Sequence, residues 1–292
     1  MPYLLLILTT LFWSGNFVLS RGMNTEIPPL TLSFWRWAVA LLILFSFTGK
    51  HLLSQRRLLF QHKKFITVQS ILGVAGFNSL IYMAMQNTTA INAVLVNSCI
   101  PVIIVIVSWV LYNERLSLRQ CFGVFLSFCG VALIISGGKI STLLQLHFNS
   151  GDILVFIAAF FWAFYSANLK KYPDGLHPFA YQTSIVIIGV IILLPFFLFE
   201  LLTGRTMTIS AASAVTILYV ALFASVLAFI FWNHAVAELG ANVAGPFIHL
   251  MPLFSTILAV IFLGENLTTT HLRAIPLIFC GILLTTFRHR KK

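Results

Sequence analysis

A small set of polar and aromatic side chains interrupts long apolar runs, and their spacing suits the noncovalent binding of a small polar molecule. Trp13 and Asn16 lie three residues apart, so they share one face of a helix, and Trp162 and Tyr165 repeat that spacing. In a hydrocarbon environment, an unsatisfied polar group costs several kcal/mol. These four residues therefore face either a ligand-binding cavity or partners on neighbouring helices, and the sequence leaves both interpretations open.

Two prolines in long apolar runs are predicted hinges. Pro101 and Pro252 are each preceded, within about one helical turn, by a polar side chain, Asn97 or His249. A proline removes one backbone hydrogen bond and leaves a carbonyl in the preceding turn without its partner. The polar side chains could line a cavity with these carbonyls, or they could be satisfied by packing. His249 is also a candidate proton site, because histidine changes charge near neutral pH.

Arg36 is a cationic residue well inside an apolar run, eight residues past Pro28. At the helical rise this distance is about 12 Å. Intramembrane charges are functional candidates by default and need a partner. We predict a charge site at Arg36, with Glu26 and Glu265 as the two partner candidates. A structural arginine bound by carbonyls is the alternative.

Further binding candidates lie near the ends of two other apolar runs. Asn78 and Tyr82 share one helical face, and Trp232 adjoins Asn233. Tyr82 and Asn233 are 151 positions apart, the separation that also relates other matching residues of the two halves. They could form symmetry-related gates. For Trp232, the alternative is the ordinary aromatic belt at a membrane interface.

The sequence lacks motifs for bond-making chemistry. It contains no HExxH, no GxSxG and no Walker-type loop, which argues against an intramembrane enzyme and against ATP-driven transport. The four cysteines lie in apolar runs without metal-binding spacing, so no cofactor or metal is expected. All seven acidic residues lie at or near predicted span ends. We therefore favour facilitated diffusion, with His249 as the proton site if transport is proton-coupled.

Composition assigns the chain to the helical membrane proteins. Of its 292 residues, 59% are hydrophobic and 9% are charged. A helix needs about 20 residues to cross a hydrocarbon core of about 30 Å, and runs of that length recur along the chain. Because the runs are apolar on all sides, a barrel is excluded. We predict an all-α membrane protein with ten spans, near residues 2–20, 29–48, 65–86, 89–111, 117–136, 152–169, 178–199, 213–235, 241–262 and 268–287.

The basic residues orient the chain across the membrane. With the N-terminus inside, thirteen Lys and Arg residues fall in cytoplasmic segments and four fall outside, while Arg36 belongs to neither side. This positive-inside bias predicts that both termini are cytoplasmic. It also accounts for the net charge of +11 without a nucleic-acid partner. We expect a multi-pass protein of the plasma membrane, specifically the bacterial inner membrane.

The two halves of the sequence resemble each other. Pro101 and Pro252 are separated by 151 positions, and Trp13 and Trp162 by 149. Duplicated, proline-interrupted apolar segments are typical of transporters whose site lies at the interface of two repeats. Because each half has five spans, the second half must enter the membrane from the opposite side. We predict two inverted five-helix repeats, at 1–137 and 152–292, joined by a loop at 138–151.

The ordered motifs of both halves resemble those of the drug/metabolite transporter superfamily and, within it, the ten-helix EamA-like transporters. The first half carries FWSGNFVLSR, PPLTLSFWRWAVA, TAINAVLVNSCIP and NERLSLRQCFG. The second half carries GDILVFIAAFFWAFYSANLKK, LFASVLAFIFWNHAVAELGA and LGENLTTTHL. The resemblance covers essentially the whole chain.

The resemblance implies a secondary transporter that moves small metabolites by alternating access around a cavity between the halves. Export of amino acids or related metabolites is the expected task. The partners would be a small-molecule substrate and the lipid bilayer, and the oligomeric state stays open, with a monomer among the options. A passive channel or a structural membrane protein is the alternative. Saturation and counterflow would distinguish a carrier from a channel.

Overall fold

A computed structural model describes residues 1–88, 90–145, 149–263 and 269–286. Within these ranges the chain is helical and contains no strand. Ten helices are long and apolar enough to cross a membrane. They are α1 (Pro2–Gly22), α2 (Pro29–Ser54), α3 (Lys63–Ala84), α4 (Asn92–Tyr112), α5 (Leu118–Ser136), α6 (Ser150–Lys171), α7 (Pro178–Leu202), α8 (Ala211–Leu239), α9 (Ala241–Leu258) and α10 (Thr269–Thr286).

These helices match the ten predicted spans in order, so the all-α class and the number of spans are confirmed. The helix ends differ from the predicted ones by several residues. Helix α2, for example, continues past its predicted C-terminal end at residue 48 to Ser54. The added residues include the polar side chains of Lys50 and His51. A helix can therefore leave the apolar region without ending there.

Two helices contain a π-helical segment near their midpoints. In α3 it is Ser70–Gly76, and in α8 it is Val220–Leu227. Gly76 and Leu227 are 151 positions apart, so the segments occupy equivalent places in the two halves. Such segments are rare and frequently mark functional sites. In α8, side chains from α1 and α2 form hydrogen bonds to the backbone carbonyl of Ala224 within this segment.

Helices α4 and α9 are both interrupted just before a predicted hinge proline. In α4, a turn precedes the helical segment that begins at Ile100, with Pro101 in its first turn. In α9, the 3-10 segment Gly245–His249 precedes the helical segment that contains Pro252. Proline is tolerated in a first turn because the N–H that it lacks would have no helical partner there. The hinge role of both prolines stays a prediction.

Each of the main contacts between two helices has a counterpart between the equivalent helices of the other half. Helix α1 packs on α8 and α9, and α6 packs on α3 and α4. Helix α2 packs on α7, and α5 packs on α10. The backbones of α5 and α10 approach each other closely. A Cβ atom added to Gly123 would lie only 2.6 Å from the Gly281 carbonyl oxygen. A two-fold relation between the halves produces this pattern of contacts, and the inversion of one half relative to the membrane stays a prediction.

The pair α2 and α7 is tied together at both ends. At one end, the Glu200 carboxylate accepts hydrogen bonds from the Thr31 backbone N–H at 2.7 Å and from its hydroxyl at 2.8 Å. At the other end, the rings of His51 and His177 stack with centroids 3.9 Å apart, and Gln55 accepts from the His177 N–H at 2.7 Å. An anion near a helix N-terminus is favourable, so Glu200 stabilises the start of α2.

Candidate functional site

The two halves meet around a small cavity, called the central cavity below. Five of the predicted site residues, from α1, α3, α4 and α6, lie in its wall, and the rest of the wall is apolar or aromatic. Its volume is about 20 Å³, which is room for about one water molecule. In this conformation it is too small to hold a metabolite. The predicted residues in its wall are Trp13, Asn16, Asn78, Asn97 and Trp162.

Three tryptophans pack against one another at this site. The rings of Trp13 and Trp162 meet edge to face with centroids 5.0 Å apart, and Trp232 lies 5.4 and 5.6 Å from them. Trp13 Nε1 donates to the Ala224 carbonyl oxygen at 3.2 Å, and Trp232 Nε1 donates to Ser166 Oγ at 3.2 Å. Trp162 Nε1 is buried and has no partner among the described residues. A buried donor without a partner costs free energy, so a hydrogen-bond acceptor placed next to Trp162 Nε1 would be stabilising.

Arg36 is completely buried and lies directly behind Asn78. Its Nη1 donates to Asn78 Oδ1 at 2.9 Å and to the Tyr82 hydroxyl at 2.6 Å, and its Nε donates to Ser225 Oγ at 2.8 Å. The guanidinium also lies 5.1 Å from the centre of the Trp37 ring, a cation–π distance. Within the described residues, the groups that contact this cation are polar or aromatic, and they carry no formal charge.

A carboxylate partner for Arg36 is not found in the part of the chain that the structure describes. Glu26 is not among the groups that contact the guanidinium, and Glu265 lies outside the described residues. The remaining partner is the backbone carbonyl of Ala224, at 3.4 Å from Nη2. The buried positive charge is therefore stabilised by hydrogen bonds rather than by an ion pair within the described ranges.

Each half contains one tyrosine–asparagine hydrogen bond, with the residue types exchanged. The Tyr82 hydroxyl donates to Asn16 Oδ1 at 2.9 Å, and the Tyr165 hydroxyl donates to Asn233 Oδ1 at 2.8 Å. Asn16 and Tyr165 are 149 positions apart, and Tyr82 and Asn233 are 151 apart, so the two pairs are equivalent. Asn233 Nδ2 then donates to Gln182 Oε1 at 3.2 Å.

A larger cavity lies at the end of the molecule that holds the N-terminus. Its volume is about 430 Å³, which is large enough for a small metabolite. Asn233 and Gln182 lie in its wall, together with Leu5, His177 and Tyr172. Burial raises the pKa of the Tyr172 hydroxyl, which therefore stays protonated. Asn233 thus lines this second cavity, whereas Asn16, from the equivalent tyrosine–asparagine pair, lines the central cavity.

His249 is completely buried and is not one of the residues that line the central cavity. Its Nδ1 lies 2.7 Å from Ser127 Oγ, and its Nε2 lies 2.9 Å from the Ser98 carbonyl oxygen. Because a carbonyl oxygen only accepts, Nε2 carries a hydrogen. Asn97 does lie in the wall, and its Oδ1 has no partner among the described residues. A substrate role for either residue stays a prediction.

The site offers hydrogen bonds and aromatic surfaces as its chemistry. In the described part of the chain, no three His, Cys, Asp or Glu side chains lie together where they could hold a metal ion. The four cysteines are free thiols. Cys99 lies in α4 and Cys280 in α10, and Cys121 and Cys129 lie about two turns apart in α5. The arrangement can therefore bind and release a polar molecule.

A model of the EamA-like transporter family matches residues 1–136 and 149–287 of this chain. The chain belongs to the EamA-like transporter family. This family is part of the drug/metabolite transporter superfamily, so the resemblance drawn from the sequence motifs is confirmed.

Relatives of this EamA-like transporter align along most of its length. The uncharacterized transporter YyaM of Bacillus subtilis is 26% identical and covers 96% of this chain and 92% of its own. An uncharacterized transporter of Archaeoglobus fulgidus is 30% identical and covers 90% of each chain. A Salmonella typhimurium protein named "Probable amino-acid metabolite efflux pump" is 25% identical, with 98% and 95% covered. A crystal structure 17% identical in sequence has a TM-score of 0.79, covers 98% of this chain and 96% of its own, and shows the same fold.

Some residues at the site of this EamA-like transporter gave no signal in the sequence. Ser225 and the Ala224 carbonyl, which accept hydrogen bonds from Arg36, lie in the π-helical segment of α8, and the sequence of that segment is uniformly apolar or small. Gln182, whose Oε1 accepts a hydrogen bond from Asn233 Nδ2, is not among the site residues predicted from the sequence. A buried glutamine in an apolar run is the same type of signal that identified Asn97, and it could have been used for Gln182.

Proposed function

We propose that this EamA-like transporter is a secondary carrier that exports amino acids or related small metabolites by alternating access. The observation that carries the proposal is the central cavity, to which α1, α3 and α4 of the first half and α6, α8 and α9 of the second contribute side chains. A site at the interface of two repeats lets one half rock against the other around a bound substrate. The name of the Salmonella relative supports the substrate class.

The second cavity supports loading from the cytoplasm. It lies at the end that holds the N-terminus, and the positive-inside bias predicts that this end faces the cytoplasm of a plasma membrane. A volume of about 430 Å³ there, against about 20 Å³ at the centre, fits a conformation in which a vestibule is open and the binding site is collapsed. Substrate would enter this vestibule near Asn233 before it reaches the centre.

The moving units in this proposal are the two five-helix repeats, at 1–137 and 152–292. Pro101 and Pro252 would act as hinges where α4 and α9 are already interrupted. The sequence has no ATP-binding loop, so the substrate gradient would drive export. An enzymatic step forms no part of the mechanism.

Counterflow in proteoliposomes tests the proposal. Purified protein is reconstituted with an unlabelled amino-acid mixture inside, and uptake of each labelled amino acid is followed at low external concentration. A carrier gives transient accumulation that saturates with concentration. A passive channel gives neither, and a structural membrane protein gives no uptake above empty liposomes, so either result would contradict the proposal.

A further inference from the structure

Arg36 determines which atoms of two asparagines remain free to bind a ligand. A guanidinium only donates hydrogen bonds, so the Asn78 atom 2.9 Å from it is the carbonyl oxygen. The Tyr82 hydroxyl also accepts from Arg36, at 2.6 Å, so its own hydrogen is directed to Asn16 at 2.9 Å. That hydrogen requires an acceptor, which identifies the Asn16 atom as Oδ1. Both asparagines are left with their NH₂ groups.

The wall of the central cavity is consequently rich in hydrogen-bond donors. Asn16 Nδ2 has no hydrogen-bond partner among the described residues, and Asn78 Nδ2 has one long bond, 3.4 Å, to the Gly73 carbonyl. Trp162 Nε1 is buried without a partner in the same ranges. Among the side chains of the wall, the acceptor without a partner in the described ranges is Asn97 Oδ1, and that amide can be turned to present either of its ends. A ligand that fits this wall must supply acceptors.

The charge behind the wall favours the same kind of ligand. Arg36 stays protonated, and its partners in the described ranges are neutral. The equivalent position of the second half, 149 residues later, is Ile185, so the charge belongs to the first half alone. Burying a cation without a counter-ion is costly, and an anion bound in the adjacent cavity would offset part of that cost.

We propose that the central cavity binds the carboxylate group of the substrate. The carboxylate oxygens would accept hydrogen bonds from Asn16, Asn78 and Trp162. Arg36, one side chain removed, is a positioning residue that orients both amides and supplies a positive potential. This inference rests on the proposed transport function and names the chemical group that the carrier recognises.

The same wall discriminates against a carboxamide of equal shape. The carboxamide has one acceptor oxygen in place of two, carries no negative charge, and brings its own NH₂ donors toward a wall of donors. Losing one charge-assisted hydrogen bond weakens binding by about tenfold or more. The ratio of affinities for an acid and its carboxamide therefore reports this recognition directly.

The test uses purified full-length protein in detergent micelles. Apparent affinities are taken from melting-temperature shifts with each L-amino acid and its carboxamide, and with 3-phenylpropionate and 3-phenylpropionamide. For at least one pair, the acid should bind about tenfold or more tightly than the carboxamide. Equal affinities throughout, or no shift with any acid at millimolar concentration, would overturn the proposal.

Two substitutions assign the preference to the named residues. In Asn78→Asp, the new carboxylate still accepts from Arg36, and its charge compensates the guanidinium. The NH₂ donor of the asparagine is lost. The ratio of the affinities for acid and carboxamide should therefore fall to about one. Trp162→Phe keeps an aromatic ring but removes the Nε1 donor and some ring contact area; the lost contact area affects both ligands, and the lost donor should weaken the acid more than the carboxamide. The matched control is Asn168→Asp, at a position outside the central cavity. In the wild type the Tyr112 hydroxyl donates to Asn168 Oδ1 at 2.7 Å, and aspartate keeps an acceptor for it. An unchanged preference in both cavity variants would also overturn the proposal.

The counterflow assay separates failure of this inference from failure of the proposed function. Amino-acid counterflow with equal binding of acids and carboxamides leaves the transport proposal standing and overturns the inference. Preferential binding of 3-phenylpropionate over its amide, without counterflow of any amino acid, supports the inference and contradicts amino-acid export. The ligand-free melting temperature of each variant shows whether it is folded.

Discussion

Trp13 and Trp162 are equivalent residues of the two halves, and their rings contact each other edge to face with centroids 5.0 Å apart. Ser98 and His249, which are 151 positions apart, also contact each other, through a 2.9 Å hydrogen bond. If a two-fold axis relates two repeats, equivalent residues can contact each other only close to that axis. Trp13 and Trp162 also line the central cavity, so rocking of one half against the other would change the shape of that cavity first.

Replacing Asn97 with alanine should impair transport while leaving stability nearly unchanged. Its Oδ1 has no partner among the described residues, so removing that atom breaks no hydrogen bond of the fold there. We expect the initial counterflow rate to fall about tenfold, the cost of one polar contact with substrate. Ser108→Ala is the matched control, because its buried hydroxyl on the same helix is also unpartnered and lies outside the cavity wall. Full transport by the Asn97 variant would show that this residue only packs.

The sequence predicted the spans, and five of its candidate site residues lie in the wall of the central cavity, for a physical reason. Polar side chains such as Asn16, Asn78 and Asn97 are conspicuous in an apolar run, because lipid leaves them no other role than binding or packing. It did not predict the neutral environment of Arg36, since Ser225 reaches the guanidinium through a π-helical segment of α8. Whether a helix adopts a π turn depends on the packing of other helices, and no residue type specifies it.

Replacing Glu200 with glutamine should destabilise the protein. The carboxylate accepts from the Thr31 N–H at 2.7 Å, and its charge interacts favourably with the start of α2. We expect a loss of about 1 kcal/mol in the free energy of unfolding, seen as a lower melting temperature. Glu238→Gln is the control: it breaks a pair with His234 in which both side chains are about half exposed, and such pairs contribute little. Equal effects of the two substitutions would contradict the role given to Glu200.

Acidification should weaken the contact between α2 and α7 at His51 and His177. Burial, and then repulsion from His51, lowers the pKa of His177 below its ordinary value of 6.5. A histidine with a lowered pKa contributes stability above its unfolded pKa, and loses that contribution as pH falls through its folded pKa. The melting temperature should therefore decline as pH drops below about 6.5.

A melting series from about pH 8 to about pH 5 tests this expectation in the wild type and in His177→Asn. Asparagine removes the titration and keeps an acceptor for the Phe179 N–H, which His177 Nδ1 now binds at 3.3 Å. The variant should lose part of the acid-induced decline. The same decline in both proteins would assign the pH dependence to other groups.

Cysteine labelling in intact cells should show that the basic segment after α2 is cytoplasmic. In a background without the four native cysteines, a membrane-impermeant thiol reagent should label Asn87→Cys from outside, and should label Arg57→Cys only after permeabilisation. The reason is the excess of Lys and Arg on the side that holds the N-terminus. Labelling of Arg57→Cys in intact cells would reverse the orientation and, with it, the proposed direction of loading.

Transport should proceed down the substrate gradient without proton coupling, and His249 provides the critical test. Its ring is buried, is bound by Ser127 and the Ser98 carbonyl, and does not line the central cavity, so a proton taken up there would be a buried charge without direct contact with a substrate in that cavity. We therefore expect uptake into proteoliposomes to be the same with and without an imposed proton gradient. Proton-driven accumulation that disappears in a folded His249→Gln variant would instead assign coupling to this histidine. Accumulation that persists in the variant would exclude both mechanisms and move the proton site to a carboxylate such as Glu26.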